Sequence, residues 1–245
     1  MVRMPSLYLL DIEGTTSPVS FVYAVLFPYA RERMGDYIFC NAEDARLQTD
    51  LRQLAHENAI DRSKGAPVIY YPQPLSQGPT ETLKASTAYL LWLMDQDRKS
   101  TALKSIQGRI WAEGYERGDL HSEVFPDVPP ALDRWHHAAR VAIYSSGSVE
   151  AQKYLFRYTR AGDLTPFIDA YFDTQTGPKT EPSSYGTIAA ALNTDSGDVL
   201  FISDSVRELD AARDAGMTTL LSLRPGNAPV SDDQGHSAIQ SFDNL

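Results

Sequence analysis

The sequence predicts an α/β fold: a parallel sheet with crossover helices, interrupted after its first strand by a helical segment. Three observations carry this prediction. Short apolar runs alternate with helix-patterned runs through the second half of the chain. A matching apolar run, Leu7-Tyr8-Leu9-Leu10, stands near the N-terminus. The long stretch between them has helical periodicity and almost no strand signal.

The first strand ends in Asp11-Ile12-Glu13-Gly14-Thr15-Thr16. Side chains alternate along a strand, so Asp11 and Glu13 face the same way, and Gly14 lets the backbone turn tightly behind them. In open α/β sheets ligands gather outside the carboxyl ends of strands, and an aspartate nucleophile beside a second acid is one way to run phosphoryl transfer. A plainer reading of the same residues ends the strand at Asp11 and caps a helix with Ser17-Pro18.

From about 19 to 121 apolar residues recur at helical spacing: Leu83, Leu90 and Met94 on one face, Leu103, Ile106 and Ile110 on another. Only Val68-Ile69-Tyr70-Tyr71 hints at a strand, and Pro72 to Pro79 reads as a loop inside the insertion. The proline-rich stretch 123–130 returns the chain to the sheet. The expected organisation is an α/β core of residues 1–18 and 122–245 around a helical cap of 19–121. In the core, Val141-Ala142-Ile143-Tyr144 precedes a helix at about 149–158, and Val199-Leu200-Phe201-Ile202 one at about 206–215; Thr218-Thr219-Leu220-Leu221 is the last strand. After Leu223 an irregular loop and a surface tail are expected.

The 245 residues suit one large α/β unit or a core with an insertion. A formal net charge of −10 argues against a nucleic-acid or anionic-membrane binder, which needs a basic footprint. The single cysteine, Cys40, precludes an intramolecular disulfide and is expected to be a buried structural thiol. No run resembles a signal peptide or is long enough to span a bilayer, so a soluble, cytoplasmic protein is expected; a monomer is expected as well.

Three further strand ends or loops carry candidate chemistry. Ser145-Ser146-Gly147-Ser148 follows one strand and opens a helix, where hydroxyls, backbone N–H groups and the helix dipole suit a phosphate; ordinary capping by serine explains it equally. Lys179, in a loop of turn formers, can neutralise an aspartate nucleophile and a phosphoryl oxygen together, although loop lysines are usually solvated. Asp204 ends the strand at Ile202-Ser203, with Glu208 one helical turn on and Asp210 beyond. Asp204 can complete a Mg²⁺ site begun by Asp11; alternatively Asp204 or Ser205 caps the helix and Glu208 pairs at its surface.

The ordered set of strand-Asp-x-acid, strand-Ser-Ser-Gly, loop-Lys and strand-Asp resembles the haloacid dehalogenase superfamily of phosphatases. Within it the chain is similar to the enolase-phosphatase (acireductone synthase) family. The motifs that carry this likeness are Asp11-Ile12-Glu13-Gly14-Thr15-Thr16, Leu26-Phe27-Pro28-Tyr29, Asp97-Arg98-Lys99, Ala102-Leu103-Lys104, Gln107-Gly108, the run from Tyr144 to Lys153, and Arg224-Pro225-Gly226-Asn227-Ala228. Most superfamily phosphatases carry aspartate two residues after the nucleophile; Glu13 matches the narrower family and speaks against a dehalogenase.

The resemblance implies a Rossmann-like core with a cap that excludes water, and a Mg²⁺-dependent enzyme acting on a small phosphate ester, 2,3-diketo-5-methylthiopentyl-1-phosphate, by enolisation and then hydrolysis. It implies Asp11 as nucleophile and Glu13 as acid and base. Ser145, Ser146 and Lys179 would bind the phosphoryl group, and Asp11, Asp204 and a group of Glu13, either its carboxylate or its backbone carbonyl, would bind the metal. Lys99, Lys104 and Gln107 in the cap are left outside the site, since lysines on such helices are usually solvated. The competing readings are another phosphatase of the superfamily acting on a sugar phosphate or phosphoglycolate, and a Mg²⁺-binding receiver-like module. A serine hydrolase is disfavoured because the five histidines lie away from the strand ends.

Overall fold

In the computed structural model, which describes residues 4–70 and 79–245, the N-terminal apolar run forms β1 (Leu7–Leu10), buried along its whole length. A parallel strand covered on both faces has to be apolar throughout, and this one is. The chain then makes a short helical turn, α1 (Val19–Phe21), and enters a helical unit.

That unit, Leu26–Arg117, lies within the 19–121 span. Its helices are α2 (Phe27–Cys40), α3 (Ala45–Asp61), α4 (Pro79–Asp95) and α5 (Thr101–Glu116). Asp44 caps α3 by accepting from the amides of Arg46 and Leu47, at 2.8 and 2.9 Å, and Ser100 caps α5 by accepting from Leu103 at 3.1 Å. Leu47, Leu51 and Leu54 form the inward stripe of α3, and Leu103, Ile106 and Ile110 that of α5. On α4 the buried face is Thr82, Ser86, Tyr89, Leu90 and Leu93, one position round from Leu83 and Met94. The tyrosine decides this: its hydroxyl donates to the fully buried Asp61 at 2.9 Å, which Lys64 and Arg98 also contact.

Two further expectations fail in this unit. Residues 68–70 form no strand; the amide of Ile69 donates to Asn58 Oδ1 at 2.8 Å, so a side chain takes the place of a neighbouring strand. Tyr71 and the loop read at 72–78 lie outside the described residues, and Pro79 already opens α4. Cys40 is exposed, because the inward stripe of α2 runs through Ala30, Met34, Tyr37 and Ile38 and leaves position 40 outside it.

The other unit, residues 1–25 and 118–245, carries the sheet. After α6 (Val128–His136) the chain alternates β2 (Arg140–Tyr144), α7 (Val149–Arg157), β3 (Ala170–Phe172), α8 (Pro182–Ala191), β4 (Val199–Ser203), α9 (Val206–Asp214), β5 (Thr218–Ser222) and β6 (Ser237–Ile239). The strand order is β3-β2-β1-β4-β5-β6 and every pairing is parallel. The chain builds outward from β1 through β2 to β3, then returns to the opposite side of β1 with β4. The direction of winding therefore reverses between β1 and β4, which is where such sheets open a crevice at their carboxyl ends. Register brings Leu10 beside both Ile143 and Ile202, so the residues just past all three strands emerge together.

The tail is a correction to the expected irregular surface segment. β6 pairs with β5, and Phe242 is fully buried against Trp135, whose ring stacks on Tyr8 at 4.1 Å. A three-residue strand with two exposed residues has no apolar signature to read. Among the described residues, no helix is long and apolar enough to cross a membrane.

Leu9 is wholly buried within the cluster that joins β1, β2, β4, α8 and α9. Leu9→Ala should lower the unfolding free energy by about 2–5 kcal/mol in urea titration, the usual range for a core Leu→Ala change. A loss below about 1 kcal/mol would show that the centre of the sheet relaxes around the cavity.

Candidate active site

Asp11 is the first residue past β1, and its amide extends the ladder by donating to Ile202 O at 3.0 Å. Lys179 Nζ lies 2.5 Å from Asp11 Oδ1 and 2.6 Å from Glu208 Oε2. Both Asp11 and Lys179 are buried. Burial pulls the Lys179 ammonium toward the neutral form, but the negative charges of Asp11 and Glu208 outweigh it and hold its pKa above the ordinary lysine value. The Ser203 hydroxyl stands 3.3 Å from Asp11 Oδ2 and 3.1 Å from Glu208 Oε2, its one proton serving either carboxylate.

The loop that carries Lys179 is fixed by three hydroxyl groups. Tyr144 donates to Gly177 O at 2.9 Å, Ser184 to Pro178 O at 2.8 Å, and Tyr185 to Lys179 O at 2.7 Å. Three successive carbonyls are thus held, and the lysine leaves this loop in a set direction. Gly177 is required there: its φ is +150°, and a Cβ would meet Ser184 Oγ.

Glu13 Oε2 accepts from Ser145 Oγ at 3.4 Å, which ties the end of β1 to the end of β2. Burial first, and the charge of Asp11 second, push the Glu13 carboxyl above its ordinary pKa. Ser145 is buried, whereas Ser146 is exposed beside it. The start of α7 is partly spoken for, since Val149 N donates to Asp173 Oδ2 at 3.2 Å and Ala151 N to Ser148 Oγ at 3.2 Å. The hydroxyl of Ser145, more than the helix end, is therefore what the loop offers toward Glu13.

Asp204 follows β4 and caps nothing; the residue at the N-cap of α9 is Ser205, which makes no side-chain cap bond. Its carboxyl lies against Gly14, whose φ is +72° and whose missing Cβ would strike Asp204 Oδ2 and Asn227 Oδ1. Burial and the nearby charge of Asp11 push Asp204 up to about 7, and burial with Asp11 does the same to Glu208. Asp11, Glu13, Lys179 and Asp204 are thus brought to one crevice, with Ser145 at its edge. Glu208 pairs with Lys179 inside the site and not with a basic residue at the helix surface. His236 stands apart, bonded to Thr219 and Asp210.

Among the described residues no three His, Cys, Asp or Glu side chains form a ready metal cage. Mg²⁺ needs none: it takes one or two carboxylates, keeps several waters and shares substrate phosphate oxygens. The donor set here is all oxygen, and four carboxylates crowd one ammonium. Burial first, and the charge of Asp11 second, raise the pKa values of Glu13, Asp204 and Glu208, and this all-oxygen set with its excess of acids fits a hard divalent cation.

A parallel sheet with these groups at its winding reversal defines a hydrolase of the haloacid dehalogenase-like kind, and the family model of that description matches residues 5–216. Enolase-phosphatase E1 of Synechococcus elongatus is 49% identical over 238 residues, covering 97% of this chain and 96% of that protein. A Ricinus communis protein named as a probable bifunctional methylthioribulose-1-phosphate dehydratase/enolase-phosphatase E1 is 38% identical over 100% of this chain and 47% of its own length. The crystal structure of the UTR4 protein of Saccharomyces cerevisiae superposes with a TM-score of 0.75 at 37% identity, over 98% of this chain and 100% of that one. The chain belongs to the enolase-phosphatase E1 family of haloacid dehalogenase-like hydrolases.

The raised acids make a pH prediction for the metal-free protein. A carboxyl whose pKa is higher in the folded than in the unfolded state stabilises the fold while protonated. That contribution is complete below the unfolded value of about 4 and is lost as pH rises through the folded value of about 7. Urea unfolding without divalent cations should therefore show stability falling between about pH 4 and about pH 7, with a shallower fall in Asp204→Asn. Equal slopes in the two proteins would contradict the raised Asp204.

Proposed function

We propose that this chain is a Mg²⁺-dependent enolase-phosphatase that converts 2,3-diketo-5-methylthiopentyl-1-phosphate to the acireductone 1,2-dihydroxy-3-keto-5-methylthiopentene, a step of methionine salvage. The full-length kinship to enolase-phosphatase E1 proteins supports the activity. The Ricinus communis relative supports the substrate, because dehydrating methylthioribulose-1-phosphate yields a diketone phosphate, the compound this half would then consume. The observation that carries the hydrolytic chemistry is the buried contact of Lys179 Nζ with Asp11 Oδ1 at the carboxyl end of β1.

Asp11 attacks phosphorus in line, forming an aspartyl phosphate as the bond to the leaving oxygen breaks. Glu13, its carboxyl pushed above its ordinary pKa by burial and by Asp11, is the acid that gives a proton to that oxygen. In the second half Glu13 takes a proton from the water that attacks phosphorus, and the bond to Asp11 breaks as phosphate leaves. Ser145 and Ser146 donate hydrogen bonds to phosphoryl oxygens, and Lys179 offsets charge on Asp11 and on the transferred group. Asp11, Asp204 and either the carboxylate or the backbone carbonyl of Glu13 would hold Mg²⁺, which would balance phosphoryl charge and polarise the carbonyl beside the carbon that enolises; a backbone ligand leaves the Glu13 carboxyl free for proton transfer.

Turnover of the diketone phosphate with Mg²⁺, followed by enol absorbance and phosphate release together, tests this reading. Both signals are expected. Equal phosphate release from unrelated esters with no enol absorbance would make the chain a general phosphatase. Asp11→Asn should abolish phosphate release, and Glu13→Gln should depress it while enolisation persists, so that enol phosphate accumulates; parallel loss of both signals in Glu13→Gln would argue against separate steps.

Ser145→Ala should reduce kcat/KM by about 1.5–3 kcal/mol of transition-state stabilisation, the range for a charge-assisted bond. Lys179→Met leaves Asp11 and Glu208 buried without a counter-charge and should cost about 3–5 kcal/mol in unfolding free energy besides its loss of turnover. Wild-type kinetics in both variants would place the phosphoryl group elsewhere.

A further inference from the structure

We infer that Asn227 is a positioning residue of the proposed Mg²⁺ site, its side-chain oxygen accepting a hydrogen bond from a water carried by the cation; the inference rests on the reading of that site as a Mg²⁺ site. Asn227 lies in the loop after β5, and its Nδ2 donates to Gly14 O at 2.9 Å and to Ser222 O at 3.1 Å. Two carbonyl acceptors determine which way the amide points, since the flipped group would set Oδ1 against both. Oδ1 is therefore turned the other way. There it is buried and, among the described residues, without a hydrogen-bond partner.

The direction in which Oδ1 points is informative. Oδ1 stands 2.8 Å from the position a Cβ on Gly14 would occupy, and Asp204 Oδ2 lies against the same point. Asn227 Oδ1 and the Asp204 carboxyl thus face one small space, and among the described residues Oδ1 has no donor there. The Lys179 ammonium, the charged donor of the site, is engaged by Asp11 and Glu208. Leaving a buried acceptor unpaired is unfavourable, so a donor that arrives with the ligand is what the arrangement calls for. Mg²⁺ keeps several of its waters when bound, and a water on a cation is a strong donor that can meet Asn227 Oδ1 while Asp204 holds the metal. Gly14 is the residue that leaves this space open.

Ser222 separates this role from simple scaffolding. Its Oγ also donates to Gly14 O, at 3.1 Å, so both side chains anchor that carbonyl, but only Asn227 presents an oxygen toward Asp204. Titration calorimetry of Mg²⁺ into the whole protein, without substrate, reads the difference. Asn227→Ala should raise the Mg²⁺ Kd about tenfold or more, the usual effect of removing a group that orients a metal's ligands, and Ser222→Ala should leave it within about twofold. Equal Mg²⁺ affinity in wild type and Asn227→Ala, or equal weakening in the two variants, overturns the inference. A wild-type chain that binds no Mg²⁺ overturns the metal site itself, a separate failure. A crystal structure of the Mg²⁺-loaded wild type decides the matter even if Asn227→Ala does not fold. A metal-bound water within hydrogen-bond distance of Asn227 Oδ1 supports the inference, and its absence there overturns it.

Discussion

The buried contact of Lys179 with Asp11 and Glu208 is the constraint on which the rest of the site depends. An ammonium held 2.5 Å from one carboxylate and 2.6 Å from another cannot be left to a mobile loop. Burying an ion is costly unless its partners are placed well. The hydroxyls of Tyr144, Ser184 and Tyr185, each on a different carbonyl of the lysine loop, supply that placement. Those three residues come from β2 and α8, so the sheet and its crossover helix, not the loop itself, set where the charge stands.

Around that one ammonium sit four carboxylates, and their mutual repulsion is the second theme of the site. Glu13, Asp204 and Glu208 are all driven toward the protonated form by burial and by Asp11. Such a cluster is poorly suited to receive a phosphate dianion by itself. A divalent cation would offset that excess, which is the setting the proposed Mg²⁺ site supplies. The glycine at position 14 makes the crowding sterically feasible, since any side chain there would displace both Asp204 and Asn227.

Much of this was legible in the sequence because it is local. Apolar runs ending in Asp11, Tyr144 and Ser203 announce buried parallel strands, and small or acidic residues just past them announce the crevice edge. What was not legible is what depends on distant pairing. Glu208 looks like a surface helix residue until the loop bearing Lys179 is folded over it. Asn227 is one asparagine in a turn-rich segment, and its meaning lies in the carbonyl of Gly14, more than two hundred residues away in the chain. β3 and β6 have three residues each, too few to show a period. The buried face of α4 takes in Thr82 and Ser86 beside Tyr89, whose hydroxyl bonds the distant Asp61, and an apolar pattern does not show two polar residues facing inward.

The central claim is that Asp11 is the group that takes the phosphoryl load. An acid quench during turnover of the diketone phosphate, followed by borohydride reduction and peptide mass spectrometry, reads it directly, because reduction converts an aspartyl phosphate to homoserine. The account predicts homoserine at position 11 in the wild-type chain. Phosphate release with unmodified Asp11, or with the modification on another residue, would contradict it.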